Sequence, residues 1–191
     1  PGPGSLTLDG NNNSRIFLVN SGFTLDLSGV TITNGRAPAP SGWGGGISNE
    51  GTLNISDSAV TSCLADGSGN GFGGGIDNYG APAAVTVTRC TISGNNANNE
   101  GGGIRNENGT VTITESTISG NGSGNTGGGI TFRAGTLGIV NSTISGNNAV
   151  GGGGGIYDGA ASTININQCT IASTPLPTTA AVSTWTAPRP T

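Results

Sequence analysis

The chain contains no lysine, no histidine and no methionine, and charged side chains make up only 8% of its 191 residues. All six cations are arginine, set against ten carboxylates, for a net charge of −4. No basic patch exists to neutralise a phosphate backbone, so nucleic acid is not an expected partner. No apolar run reaches the length of a membrane span, and no membrane insertion of this segment is expected. The three cysteines, Cys63, Cys90 and Cys169, fit no metal-ligand spacing. The chain starts at Pro1 with neither an initiator methionine nor a signal peptide, which points to a processed protein or a fragment. Scarce charge with abundant Asn, Thr, Ser and Gly points to a secreted or cell-surface location.

What is abundant is glycine, with 38 residues, and it recurs in register with apolar side chains. The stretch 101–121, GGGIRNENGTVTITESTISGN, is followed by a close copy at 127–147, GGGITFRAGTLGIVNSTISGN. Looser copies begin at Gly44, Gly73 and Gly153. The isoleucines after the triplets are Ile47, Ile76, Ile104, Ile130 and Ile156, in steps of 29, 28, 26 and 26 residues. A fixed period of this size marks a stacked-repeat architecture.

Within each repeat the apolar residues alternate with polar ones, a period of two that predicts strands and not helices. One strand carries the pairs Leu25/Leu27, Leu53/Ile55, Val85/Val87, Val111/Ile113, Leu137/Ile139 and Ile164/Ile166. The next is marked by Ile32, Val60, Ile92, Ile118, Ile144 and Ile171. Before Ile47, the segment Ile16–Val19 takes the place of the glycine triplet and its isoleucine, with Val19 aligned to Ile47. Strands this short satisfy their backbone groups by stacking each on its equivalent one period later, in a parallel ladder. The predicted fold is therefore an all-β, right-handed parallel β-helix, or β-solenoid, with three short strands per coil. It has about 6–7 coils of roughly 26–32 residues each. It occupies residues 1–172, and residues 173–191 read as a Pro/Thr-rich arm or linker.

The glycines fit corners that no larger side chain enters, some with positive φ. Asn49, Asn78 and Asn106, each two residues after its isoleucine, predict an inward ladder of amides, broken at Phe132 and ending in Asp158. Cys90 and Cys169 stand where other coils have Ser58, Ser116 and Ser142, and are expected as inward-facing thiols. No two cysteines fall on adjacent rungs, which argues against a disulfide.

The triplets followed by isoleucine, with the tetrads Ile92–Asn95, Ile118–Asn121 and Ile144–Asn147 all reading ISGN, resemble the GGA[ILV] and FxxN repeats of polymorphic outer-membrane proteins. The opening SLTLDGNNNSRIFLVNSGFTLDLSGVTITNG is similar to large secreted bacterial β-helix proteins and adhesin passengers. The resemblance spans residues 5–172 and implies adhesins, stalks or surface coats. Isoleucine stands where phenylalanine is typical, and no outer-membrane barrel is present in the sequence, so autotransport is not implied.

Polysaccharide-cleaving β-helices use clustered carboxylates, or calcium with an Arg or Lys base. Here the ten acids scatter over the rungs, and Arg89, Arg105 and Arg133 lie near corners with no repeating acidic pair. No catalytic residue, cofactor or metal site is expected. Five glycosylation sequons begin at Asn12, Asn54, Asn108, Asn121 and Asn141. Two outward threonine rows, Thr24/Thr52/Thr110/Thr136/Thr163 and Thr31/Thr91/Thr117/Thr143/Thr170, suit any solvated strand surface, and also ice or carbohydrate. With no polar cap or capping helix in the sequence, the coil ends invite head-to-tail stacking if this is the mature chain. The tail patch around Val182 and Trp185 would lie along a neighbouring copy as an added strand. The expected function is thus a non-enzymatic structural or adhesive solenoid that self-assembles into filaments. The alternatives are a carbohydrate-binding adhesin passenger, a polysaccharide-degrading enzyme and an ice-binding protein.

Overall fold

Three parallel sheets wind around one aliphatic interior. The computed structural model describes residues 6–67, 69–159, 162–173 and 182–184, and the fold is a β-solenoid. Among the described residues sheet I has seven strands: Phe17–Val19, Ile47–Asn49, Ile76–Asn78, Ile104–Asn106, Ile130–Phe132, Ile156–Asp158 and Val182–Thr184. Sheet II has six: Thr24–Ser28, Thr52–Ser56, Ala84–Thr88, Thr110–Thr114, Gly135–Val140 and Ser162–Asn167. Sheet III begins at Leu6–Asp9 and Val30–Thr33 and continues through Ala59–Thr61, Thr91–Ser93, Thr117–Ser119, Thr143–Ala149 and Thr170–Ser173. Beyond a kink it extends into short segments, Arg36–Pro38, Leu64–Asp66, Asn96–Ala97 and Gly122–Ser123. The six strands of sheet II mark about six turns, stacked about 4.8 Å apart.

The register joins the residues that the period of two picked out. Ile47, Ile76, Ile104, Ile130 and Ile156 lie over one another. Leu53, Val85, Val111 and Leu137 form a second column, and Val60, Ile92, Ile118 and Ile144 a third. All of these residues are essentially inaccessible and together make the core. Burying an aliphatic side chain of this size stabilises by roughly 1.5–3 kcal/mol before its entropy cost, and here each does so against its own equivalents.

Two corners need special backbone. Gly101 opens its triplet at φ +65°, and a Cβ on Gly102 would sit 2.2 Å from the Gly122 carbonyl oxygen. The glycine column is therefore as close as two backbones can come. Between sheets II and III the turn takes a left-handed residue in each coil: Gly29 at φ +68° in the first, then the non-glycine residues Asp57, Arg89, Glu115, Asn141 and Gln168, with φ of 48–53°. Sequence reasoning assigned positive φ to glycine and did not find the non-glycine positions. Their one shared mark is a place directly before Ser or Cys.

Two boundaries differ from expectation. Phe17, not Val19, aligns with Ile47, and Val19 stacks on Asn49. A slip of two residues leaves every side chain on its own face, so alternation cannot detect it. The repeat also continues past residue 173: Val182–Thr184 pairs in register with Ile156–Asp158 as the next rung of sheet I. Strand addition here is to the chain's own sheet, 26 residues on from Ile156, the same step as between the preceding coils.

Candidate functional site

The residue four before each isoleucine folds back over the outward face of sheet I. Trp43, Phe72, Glu100, Thr126 and Gly152 bridge to one another in parallel, one per coil, as a narrow flange. Beneath it the outward row Ser48, Asp77, Arg105 and Thr131 is buried, although it lies on the outside of the coil. Each coil closes the flange onto the sheet with different chemistry. Trp43 stacks on Tyr79, with ring centroids 5.0 Å apart at 27°. The Arg105 guanidinium lies 4.3 Å over the Phe72 ring. Arg133 Nε donates to Glu100 Oε2 at 2.8 Å, and the Thr131 hydroxyl donates to the Thr126 carbonyl at 2.7 Å. At the first coil, Arg15 Nε donates to the Trp43 carbonyl at 3.0 Å.

Arg105 is the hub. It reaches Asp77 at 3.1 Å and Glu100 at 3.6 Å, and it also pairs with Glu107. The sequence scatters these groups over three coils, with Asp77 and Arg105 28 positions apart and Glu100 and Arg133 33 apart. The flange column has no common residue type, so no motif announced it; the fixed offset from the isoleucines was the available signal. Burial raises the Asp77 carboxyl to about 6, and the attraction of Arg105 does not offset that loss of water. Desolvation likewise lowers Arg15. Asp77 is sealed beneath the flange, and the cluster ties coils together. At the opposite corners, Arg89 holds Asp57 below the usual carboxylate range, and Arg36 does the same for Asp66. Among the described residues no group of acids and cysteines is arranged to hold a metal ion.

The amide ladder of Asn49, Asn78 and Asn106 is present, with Nδ2–Oδ1 distances of 2.7 and 2.6 Å. Phe132 interrupts it, and Asn106 donates instead to the Ala134 carbonyl at 2.7 Å. A second ladder, which sequence reasoning missed, runs through the last residue of each ISGN tetrad. Asn95 Nδ2 donates to Asn121 Oδ1 at 3.0 Å, and Asn121 to Asn147 at 2.9 Å. Each Oδ1 also accepts the backbone N–H of the coil before it. Cys63 occupies the asparagine place one coil earlier, and its N–H donates to Asn95 Oδ1 at 2.9 Å. Cys90 enters a third column, whose Ser58, Ser116 and Ser142 hydroxyls donate to the carbonyl two residues back. Its thiol faces the Thr88 carbonyl in the same way, at 3.2 Å. All three cysteines are free; Cys63 and Cys90 are buried and Cys169 is half-buried. Burial pushes the Cys63 thiol up to about 11, which makes it a poor nucleophile at neutral pH.

The five sequons separate by geometry. Asn12, Asn108 and Asn141 are exposed, and Asn54 is half-buried with its amide donating to Asp26 at 2.7 Å. Asn121 is 1% exposed with its amide in the ladder, so the folded chain offers no acceptor there. The first threonine row continues unbroken except at Ala84, and the second except at Ala59. The column beside the first is mixed: Asp26, Asn54, Thr86, Thr112, Gly138 and Asn165. Val182 belongs to the strand paired with Ile156, and Trp185 lies outside the described residues.

Compared with protein-family models, with curated proteins and with solved structures, the chain matches none.

Proposed function

We propose that the protein is a non-enzymatic structural or adhesive β-solenoid of the cell surface or secreted space that stacks head to tail on copies of itself. The observation that carries this reading is the first coil. Leu6 and Leu18 are each 53% exposed and Phe23 is 67% exposed, at the rim where the edges of sheets I to III begin. At the far edge of sheet II, Ile166 of Ser162–Asn167 is 41% exposed. Apolar side chains left uncovered at two opposite edges, Leu18 among them on the outward face in line with Ser48, fit a heterologous contact between copies, which extends into a filament. Low charge leaves little repulsion between stacked coils. The non-enzymatic part is supported by Asp77 beneath the flange and Glu100 within it, both paired with arginine and shielded from solvent. The resemblance to adhesin repeats agrees with this assignment.

Electron microscopy and light scattering of the purified chain test the assembly. Filaments or a concentration-dependent ladder of oligomers are expected, and Leu18→Glu with Phe23→Glu reduces them to monomers. A monodisperse monomer at high concentration removes the self-assembly. Turnover of a uronic-acid polymer removes the non-enzymatic part.

A second reading, a carbohydrate-binding adhesin passenger within a longer chain, is favoured by the side chains beside the flange. Elsewhere the outward columns of sheet II are mostly Thr, Ser and Asn.

A further inference from the structure

We propose that the column Glu50, Tyr79, Glu107 and Arg133, together with Trp43, is a binding site for a neutral polysaccharide strand lying parallel to the solenoid axis. The proposal rests on the adhesive half of the function proposed above and names its target class.

The four residues each follow a strand of sheet I directly, and each donates its backbone N–H to the preceding coil. The partners are the carbonyls of Val19, Asn49, Asn78 and Asn106, at 2.7–2.9 Å. They therefore occupy four consecutive rungs in a straight line, a span of about 14 Å at about 4.8 Å per step. A line of that length along the axis fits a linear polymer. Its long side chains contrast with the outward strand positions of sheet II, which are mostly Ser, Thr and Asn. Tyr79 is 38% exposed and lies against half-buried Trp43 at 5.0 Å, a rigid aromatic surface with a wet hydroxyl at its edge. Such a surface receives the C–H face of a sugar ring. Glu107 and Arg133, with side chains 34% and 46% exposed, then supply acceptors and donors to hydroxyls on the next rungs. Their pairing with Arg105 and Glu100 holds both side chains in place before a ligand arrives, which lowers the ordering cost of binding.

Other ligand classes fit less well. A peptide adding as a strand needs free backbone edges, and the backbone N–H groups here are already engaged between coils. A polyanion needs a basic surface, and this line holds two carboxylates against one guanidinium.

Affinity electrophoresis in gels containing a soluble β-glucan, a galactomannan or a xylan tests the site, with polygalacturonate as the polyanion. The wild-type chain is expected to be retarded by at least one neutral polymer and not by polygalacturonate. Tyr79→Ala is expected to weaken retardation at least tenfold, and Glu107→Gln severalfold, with the circular dichroism spectrum of Glu107→Gln unchanged and its melting temperature only slightly lowered by the loss of its pairing with Arg105. No retardation by any neutral polymer, equal retardation of wild type and both variants, or preference for polygalacturonate overturns the proposal. Adsorption to a bacterial cell-wall preparation is measured alongside. Adsorption there without retardation by the neutral polymers overturns the glycan assignment and leaves the adhesive reading standing.

Discussion

At the scale of single residues, the interior depends on polar side chains as much as on aliphatic ones. Asn121 satisfies the backbone N–H of Asn95, donates to the Ile92 carbonyl at 3.0 Å and continues the ladder to Asn147. Asn121→Ala leaves those buried partners unmet, at roughly 1–3 kcal/mol per orphaned group. A loss of about 2–4 kcal/mol in urea unfolding is expected. Cys63→Asn should act in the opposite direction, adding a rung to the same ladder for a gain of up to about 1 kcal/mol. A loss there comparable to that of Asn121→Ala would mean that the ladder has no room above Asn95. Asp77 sets a pH signature. Its carboxyl holds its proton more tightly in the fold, at about 6, than at its ordinary 3.8. Its stabilising contribution is therefore complete below pH 3.8 and is lost as pH rises through 6, on the order of 2–3 kcal/mol. The half-buried Asp57 and Asp66 are shifted the other way, and their contribution falls away as pH drops below the ordinary carboxylate range. Melting temperature should thus be higher near pH 5 than at pH 7.5, and Asp77→Asn should flatten that rise.

At the scale of elements, strands and flange differ in how openly the sequence declares them. Alternation revealed the columns of sheets II and III, because Leu53, Val85 and Val111 are all aliphatic and stand at equivalent places. The first amide ladder was legible for the same reason: one residue type, one offset. The second ladder lay inside ISGN, where its asparagine entered only through the FxxN resemblance and, at Asn121, as a sequon. The flange was hidden because Trp43, Phe72, Glu100 and Thr126 share a place and nothing else. Val19 was misaligned because two-residue slips are silent to alternation. Removing the hub of the flange tests its weight. Arg105→Met leaves Asp77 and Glu100 buried with reduced compensation, and a loss of about 3–5 kcal/mol is expected. Adding Asp77→Asn should recover part of it, which chemical denaturation of the two variants and the double variant would measure as a coupling energy.

At the scale of the whole molecule there is no centre. Each coil touches its two neighbours, so stability approximates a sum of coil and interface terms. Coils starting at Ile104 and Ile130 are related by 26 residues and stack in register. Deleting residues 104–129 should therefore leave a shorter folded solenoid, with Ile76 now over Ile130 and a lower melting temperature. Loss of the β-sheet circular dichroism spectrum in that variant would show that the coils are not interchangeable.

The equal 26-residue steps at Ile104, Ile130 and Ile156 have a mechanical consequence. Pulled by its two ends, a rod built this way yields from a tip, because each detached turn exposes the next one to the same load. Every turn released adds about 90 Å of extended chain. Force–extension traces should show a sawtooth with that spacing, and the protein would act as a shock absorber that lengthens in increments before it fails.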